Sequence, residues 1–581
     1  MNQPNIRIPL AIFLVVASFN IVPHSVFAQS TEIIAVTGTA APEGGTFSTF
    51  FRPVISNSGK IVFRGSFESP AGEGIFLADN DGSIRRIVAN GQEAPGGSAT
   101  YSFTSSAIVN GSGLVNFAGF LSAPGFGVGL YQGDGVTGLT EILRTGNAVP
   151  GGNGTFNIPG GGDLNNAGQV GFSSSLNGTS GGTADNNGVF LSTPSSPLTQ
   201  IARKGQAAPD ADGAFSEFVF PLINGAGQVS FQATLTGTAN GEGVFRGDGG
   251  TPVQIARVGQ TAPDLDGAYT AFGGVPDINA SGKVAFSAAL SGTNASGIFL
   301  GDGTNPTIQF ARAGQPAPDA NGSFSTLYGP DVNDSDQILF VAMLSGTSGS
   351  TNDDWGLFRG NGVDPIVQIA RKGGPFPDGN GTFFYFPSYN INSQGQVAFF
   401  AELNDYSGER GIYFYDDSTG LQVVTQTGNA LLGSTITQLD YSGGGGESNP
   451  SVTGLSDQGT VTFEFVLADG REGVALWDSA GTPPASPDVT PPVLTLKGKK
   501  KIKTSRGRVK ISGTATDASG IARVEFQPGK GRFKSAKLLG GGNWKAKVRL
   551  DKSKARTKVK VRATDNASNS SPITKVKVIR T

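Results

Sequence analysis

Asn279-Ala280-Ser281-Gly282-Lys283-Val284-Ala285-Phe286 is the stretch that decides the fold, a polar Asn-x-x-Gly turn running into an apolar strand closed by a phenylalanine. The pattern opens again at Asn110, Asn165, Asn224, Asn333 and Asn392 and closes at Phe117, Phe172, Phe231, Phe340 and Phe399. Serine takes the asparagine place at Ser56 and Ser456, ahead of Phe63 and Phe463. The eight closing phenylalanines lie 54, 55, 59, 55, 54, 59 and 64 residues apart, a period that marks a repeat architecture. Asparagine at the first place of a type I turn caps its own backbone, and glycine at the fourth accepts the positive φ that closes the hairpin. The sixth copy departs from the pattern with Asp336 in the glycine place.

Each period divides into four strand-like pieces, which in the fourth copy are residues 214–223, 228–235, 243–246 (GVFR) and 253–257 (VQIAR). In the second piece large apolar residues flank a small one, as in Val284-Ala285-Phe286, the pattern of a strand buried on both faces. Four antiparallel strands per unit, repeated eight times, predict an all-β, eight-bladed β-propeller over residues 29–478. The register predicts how it closes. A lone fourth-strand sequence, Glu32-Ile33-Ile34-Ala35-Val36, precedes the first copy, and the eighth copy ends after its third strand, so the N-terminal strand completes the last blade and removes the open edges. An open solenoid, the alternative, leaves residues 32–36 without a partner.

These motifs resemble the bacterial secreted family known for its tandem Asn-x-x-Gly-x-x-Ala-Phe repeat and, more distantly, the blades of TolB-type propellers. The resemblance covers residues 31–478 and implies export and a propeller-like fold, with no biochemical activity attached.

Composition narrows the chemistry. The 581 residues include no cysteine and a single histidine, His24, which lies in an N-terminal segment with Arg7, an apolar run over residues 8–16 and Val26-Phe27-Ala28 ahead of a cleavage point. Residues 1–28 therefore read as a secretory signal peptide, and the mature chain is expected in the extracellular space or at the cell surface, or in the periplasm, with no membrane span. Loss of His24 excludes serine–histidine, cysteine–histidine and histidine–zinc chemistry. A carbohydrate-active enzyme with carboxylates in the propeller funnel is the rival reading, and Glu217, Glu402 and Glu447 are the acids that do not recur from repeat to repeat. The expected function is noncatalytic: a secreted binding or scaffold protein of the surface or matrix.

The fourth strands run into a recurrent crossover: Arg203 before Asp210 and Asp212, Arg257 before Asp264 and Asp266, Arg312 before Asp319, and Arg371 before Asp378. This crossover shares one face with two long loops, residues 177–187 and 345–354, and that face is the expected ligand surface. Asp210, Asp212, Asp264, Asp266, Asp319 and Asp378 are candidate calcium ligands, since hard cations collect oxygen donors. The alternative is a Pro-Asp turn whose acid pairs with an arginine and ties blades together. For Trp355 and Trp477 the alternatives are core or rim packing and a sugar platform.

A proline-rich linker, residues 479–492, leads to residues 493–581, which read as an immunoglobulin-like β-sandwich. SGTATDASGIARVEF and VRATDNASNSS in this segment resemble bacterial immunoglobulin-like domains. It holds 25 Lys and Arg against 4 Asp and Glu, whereas the rest of the chain holds 18 against 41. Alternation sends Val559, Val561, Val576 and Val578 inward and leaves Lys558, Lys560, Arg562, Lys575 and Lys577 outside as a polyanion-binding face. The partner is an anionic polysaccharide, another surface polyanion, or the protein's own acidic propeller. Few aromatics interleave with the lysines, which argues against sequence-specific nucleic-acid reading.

Overall fold

The protein is described by a computed structural model covering residues 31–581 except 43, 69–70, 98, 123–126, 161, 220, 264–266, 293–295, 380, 404–407, 445–451, 481–491, 517–520, 540–541, 552 and 566–569. Residues 1–28, read above as a signal peptide and including His24, and most of residues 479–492 lie outside the described residues. Within them the chain is all β, and no helix is long and apolar enough to cross a membrane.

Residues 31–478 form eight antiparallel sheets, one per repeat. The fifth is representative, with Tyr269–Ile278, Val284–Leu290, Ser296–Gly301 and Ile308–Arg312 paired in chain order. Its second strand is buried on both faces. Val284 and Phe286 join the core that holds Val244 and Ile255 of the fourth sheet, while Ala285 joins the core of Ile338 and Phe340 of the sixth. Each sheet is thus packed between its neighbours, the large side chains of one filling the space left by the small ones of the next.

The closing phenylalanines anchor a three-ring group. Phe286 lies nearly parallel to Phe299 with centroids 5.6 Å apart, and Tyr269 meets Phe299 edge-on at 5.1 Å. Phe231, Phe245 and Phe215 repeat the arrangement at 5.7 and 5.0 Å. The ring of Phe245 folds back over Gly243, where an added Cβ would meet ring carbons at 2.8 Å, so that position stays glycine. The eighth sheet lacks the group because Ala475 stands opposite Phe463.

Strand Thr31–Val36 pairs with Glu472–Asp478, Thr31 facing Trp477 and Val36 facing Gly473, as the fourth strand of the eighth sheet. It skips one residue, Ile34, in that pairing. The fourth strands of the other sheets skip one large apolar residue at the same place, for example Ile87, Ile201, Ile255 and Ile369. The eighth sheet also packs on the first: Ala35 and Val474 share a core with Phe47 and Phe63, and Ile55 N donates to Thr453 O at 2.8 Å.

The turn asparagine does two jobs. In Asn224 the Oδ1 accepts from Ala226 N and Gln228 N at 3.1 and 2.9 Å, closing its own turn, while Nδ2 donates to the backbone oxygen of Asn279 in the next repeat at 3.0 Å. The onward bond recurs from Asn110 to Asn165, Asn165 to Asn224, Asn279 to Asn333, Asn333 to Asn392, and Asn392 to Ser456, at 2.9 to 3.3 Å. Between the eighth and first repeats Asp457 N donates to Asn57 O at 3.2 Å. Asp336 adopts φ +60° in the glycine place, and its carboxylate accepts from Asn279 Nδ2 at 2.8 Å and pairs with Lys283. Those contacts offset a conformation that costs an L-residue about 1 kcal/mol.

Residues 493–581 hold two further sheets. Val493–Leu496, Arg508–Thr516, Asn543–Arg549 and Lys537–Leu538 form one; Lys501–Thr504, Thr574–Arg580, Arg556–Asp565, Ile521–Pro528 and Lys534–Ser535 form the other. Both contribute to one core, with Ile511, Trp544 and Val548 from the first sheet and Val559, Val561, Val576 and Val578 from the second.

Asn224→Asp keeps the turn-capping oxygen but removes the donor and sets a charge beside Asn279 O. It is expected to lower unfolding free energy by about 2–3 kcal/mol, more than Asn224→Ser, in urea titrations followed by tryptophan fluorescence.

Candidate functional site

Asp440 ends the strand Ser434–Asp440 and stands directly opposite Glu464 on Thr460–Leu467, so both carboxyl groups leave the same face of the eighth sheet. That face turns towards the first sheet. Phe463 and Phe465 point the other way, into the core shared with the seventh. Between the eighth, first and second sheets lies a cavity of about 300 Å3, lined by Asp440 and Glu464, by Phe51, Arg52 and Arg64, and by Ala107.

The cations of the cavity are held in place. Arg52 Nε lies 2.9 Å from Asp440 Oδ1, and Tyr441 N donates to the same oxygen at 2.9 Å. Arg64 Nε sits 3.1 Å from Glu73 Oε1, and its guanidinium lies over Phe51 at 3.9 Å and Phe103 at 5.1 Å. Burial pushes the Glu464 carboxyl up to about 8, helped by the negative charges of Asp440 and Glu472 and opposed by Arg52. At neutral pH a protonated carboxyl therefore stands beside an arginine-held one, an arrangement typical of functional sites.

A second aromatic group joins the sixth and seventh sheets. Tyr328 stacks on Trp355 at 5.9 Å, and Tyr385 leans on the other side of Trp355 at 5.6 Å. Tyr328 and Tyr385 are exposed, while Trp477 is buried against Phe414 at 5.2 Å.

Four of the six acids considered for calcium fall among the described residues. Asp210 is held by Arg257 at 2.7 and 2.6 Å, and Asp319 by Arg371 at 2.8 and 2.7 Å. Asp212 accepts from Thr238 Oγ1 at 2.8 Å and lies 3.4 Å from Arg257 Nη2. Asp378 occupies the equivalent crossover ahead of the seventh sheet. Asp264 and Asp266 lie outside the described residues, among which no three acidic or histidine side chains gather as metal ligands. Each arginine reaches back to the preceding crossover, so Arg257 meets Asp210, and it also grips a loop of its own sheet through Asn240 O at 3.1 Å. Arg371 does the same through Asp353 O at 2.8 Å.

The three non-recurring glutamates are not brought together by any described contact. Glu217 is exposed on the fourth sheet and paired with Lys204 at 3.0 Å; Glu402 faces Tyr385 in the seventh; Glu447 lies outside the described residues. The acids that do meet, Asp440 and Glu464, carry a signal in the repeat alignment. Eight residues after each turn begins stand Arg64, Ala118, Ser173, Gln232, Ser287, Val341, Phe400 and Glu464, and the last is the sole acid.

Two further carboxyls are locked inside the array. Asp277 and Asp331, each two residues ahead of a turn asparagine, share a hydrogen bond. Asp277 Oδ2 also accepts from Val332 N at 2.7 Å, and Asp331 Oδ2 from Ile391 N at 3.2 Å, each in the next sheet. Asp163 accepts from Ile223 N at 2.8 Å in the same way.

The five residues considered for polyanion binding sit on adjacent strands. Lys558 stands opposite Lys577 and Lys560 opposite Lys575, while Arg562 pairs with Glu525 at 2.9 Å and covers Phe533 at 4.3 Å. The other sheet is equally basic, which alternation alone had not singled out: Arg508 opposes Arg549, Lys510 opposes Lys547, and Lys537 opposes Lys545.

Burial raises Asp277 to about 6 and Asp331 well above the ordinary carboxylate range. The stabilising contribution of Asp277 is therefore complete below about pH 4 and is lost as pH rises through about 6, and Asp331 adds a loss of the same sign on raising the pH. Asp331→Asn, which copies Asn390 at the equivalent place, is expected to flatten this loss, raising the melting temperature relative to the parent protein at pH 8 more than at pH 4.

Comparison with known proteins gives a family match and distant structural likenesses. Residues 18–304 and 291–487 match the Family of unknown function (DUF7453). No curated protein matches. Fibronectin(III)-like modules of Clostridium thermocellum CbhA are similar at 18% identity, over 32% of this chain and 85% of theirs, with a TM-score of 0.15. The GH32 beta-fructofuranosidase of Bombyx mori is similar at 11% identity over 78% of this chain and 94% of its own, with a TM-score of 0.19; a mutant of it in complex with sucrose is similar over 91% of its length, also at 0.19.

Proposed function

This chain belongs to the family of unknown function DUF7453, and we propose that it is an exported binding protein, held at a cell surface or in a matrix by its basic C-terminal unit. In this reading residues 31–478 are an eight-bladed β-propeller closed by the strand Thr31–Val36, of the Asn-x-x-Gly-x-x-Ala-Phe kind. The skipped residue Ile34 and the core shared by the eighth and first sheets support that closure. Residues 493–581 form an immunoglobulin-like sandwich that attaches to a polyanion.

The observation that carries the proposal is the opposition of like charges across neighbouring strands. Six pairs of basic residues face one another: Lys501 with Lys577, Lys558 with Lys577, Lys560 with Lys575, Arg508 with Arg549, Lys510 with Lys547 and Lys537 with Lys545. Like charges directly opposite destabilise a sheet, and a net positive charge this large exceeds what solubility needs. A bound polyanion relieves the repulsion and gains from releasing its own counterions.

The mature chain is expected to stay on a heparin column at low salt and elute as salt rises, and heparin should raise its melting temperature. Lys558→Glu with Lys577→Glu should lower the eluting salt concentration. Elution in the void volume at low salt overturns the proposal.

A further inference from the structure

Exposed aromatics, rim arginines and buried aspartates serve packing or sheet-to-sheet contacts; Asp440 is held by Arg52 of the first repeat, whereas Glu464 has no such described partner and faces the cavity beside it. Asp163, Asp277 and Asp331, which lie two residues ahead of the turns, each accept a backbone N–H of the next sheet. Glu464 makes no such bond among those described, and it opens instead on the cavity with Arg52 and Phe51. Nor do the two acids recur. Tyr328 and Phe51 take the place of Asp440 in the sixth and first repeats, each four residues after the first-strand aromatic (Phe324, Phe47), and Val341 and Arg64 take the place of Glu464.

We propose that this cavity is a hydrolytic centre for glycosidic bonds, with Glu464 as the general acid and base and Asp440 as the nucleophile. Two carboxyl groups are all that cleavage of an acetal requires, and the reaction needs neither cysteine, which the chain lacks, nor histidine, which is absent among the described residues. Directly opposite residues of an antiparallel pair have Cβ atoms about 4.5–5.5 Å apart, which keeps the two carboxyl groups close enough to act on one sugar, the arrangement that direct attack with retention of configuration requires. Both described bonds to Asp440 fall on Oδ1, from Arg52 and Tyr441 N, which leaves Oδ2 for attack.

In the first half-reaction Asp440 Oδ2 bonds to the anomeric carbon, the glycosidic C–O bond breaks with its electron pair going to the leaving oxygen, and Glu464 gives that oxygen its proton. In the second, the Glu464 carboxylate takes a proton from water, the water oxygen bonds to the anomeric carbon, and the bond to Asp440 breaks. Burial and the charges of Asp440 and Glu472, against Arg52, keep Glu464 protonated up to about pH 8, the state the first step needs. Arg64, the other cation lining the cavity, is engaged by Glu73.

The test uses the full mature chain and a panel of 2,4-dinitrophenyl glycosides of common hexoses and pentoses in both anomeric forms. At least one is expected to release dinitrophenol, with a sugar product of retained configuration by NMR. On the corresponding 4-nitrophenyl glycoside the rate should fall on the alkaline side near pH 8. Glu464→Ala should lower that rate by about a hundredfold or more, and added azide should restore it with a glycosyl azide of retained configuration. Asp440→Ala should abolish turnover, and azide should then give the inverted glycosyl azide. Melting curves matching the parent's establish that both variants are folded; if either is not, Glu464→Gln and Asp440→Asn replace it, with loss of turnover as the readout. No release from any probe, or release unchanged by both substitutions, overturns the proposal.

Discussion

A neutral amide at the head of six of the eight turns is the constraint from which the rest of residues 31–478 follows. Its oxygen satisfies two backbone donors of its own turn, and its nitrogen satisfies a backbone oxygen of the next, as Asn224 does for Gln228 and Asn279. A carboxylate has no donor to pass on, and a hydroxyl is too short to reach. Where serine stands instead, at Ser56 and Ser456, the link moves to neighbouring atoms: Asp457 N meets Asn57 O, and Ser58 Oγ meets Gly111 O. A second layer of side chain to backbone bonds, from Asp163, Asp277 and Asp331, backs up the first. Burying such groups is tolerable because every one of them is bonded.

The two parts of the chain treat charge in opposite ways. In the repeat array the arginines are spent locally: the guanidiniums of Arg257 and Arg371 each hold a carboxylate and two backbone oxygens at once, as Arg371 holds Asp319, Asn321 O and Asp353 O. Such pairs fasten long loops to the sheets beneath them. In the C-terminal unit 25 basic residues face 4 acidic ones, and most cannot find a partner within the unit. The first pattern is that of a self-contained scaffold, the second that of a surface completed by something outside it.

Much of this was legible in the sequence because turn chemistry is local. Asn-x-x-Gly and the phenylalanine that follows announce themselves within eight residues, and eight copies leave little doubt about strands. The candidate site was hidden for the converse reason. Asp440 meets Glu464 through strand register across a lengthened connection, and the facing wall, Phe51 to Arg64, comes from the opposite end of the array. Composition pointed to Glu217 and Glu402 because they do not recur, yet the sheets carry them apart. The rim acids were legible as arginine partners, but the direction of the reach was not: Arg257 turns back to Asp210, since its own sheet begins beneath that crossover. Alternation found one basic face of the C-terminal unit and overlooked the other, because the like-charged residues of Arg508–Thr516 and Asn543–Arg549 only become neighbours once the strands pair.

The pairing of Thr31–Val36 with Glu472–Asp478 sets an order of events during synthesis. Thr37 and Glu472, joined by a bond from Oγ1 to a backbone oxygen at 3.1 Å, are 435 residues apart. The first of the described strands to be made therefore waits for its partner until nearly the whole array has been made. Seven sheets assemble from neighbours in the meantime, and the eighth is finished last by a segment made first. A product truncated ahead of Glu472 would leave that strand without its mate, an open edge where the complete array has none.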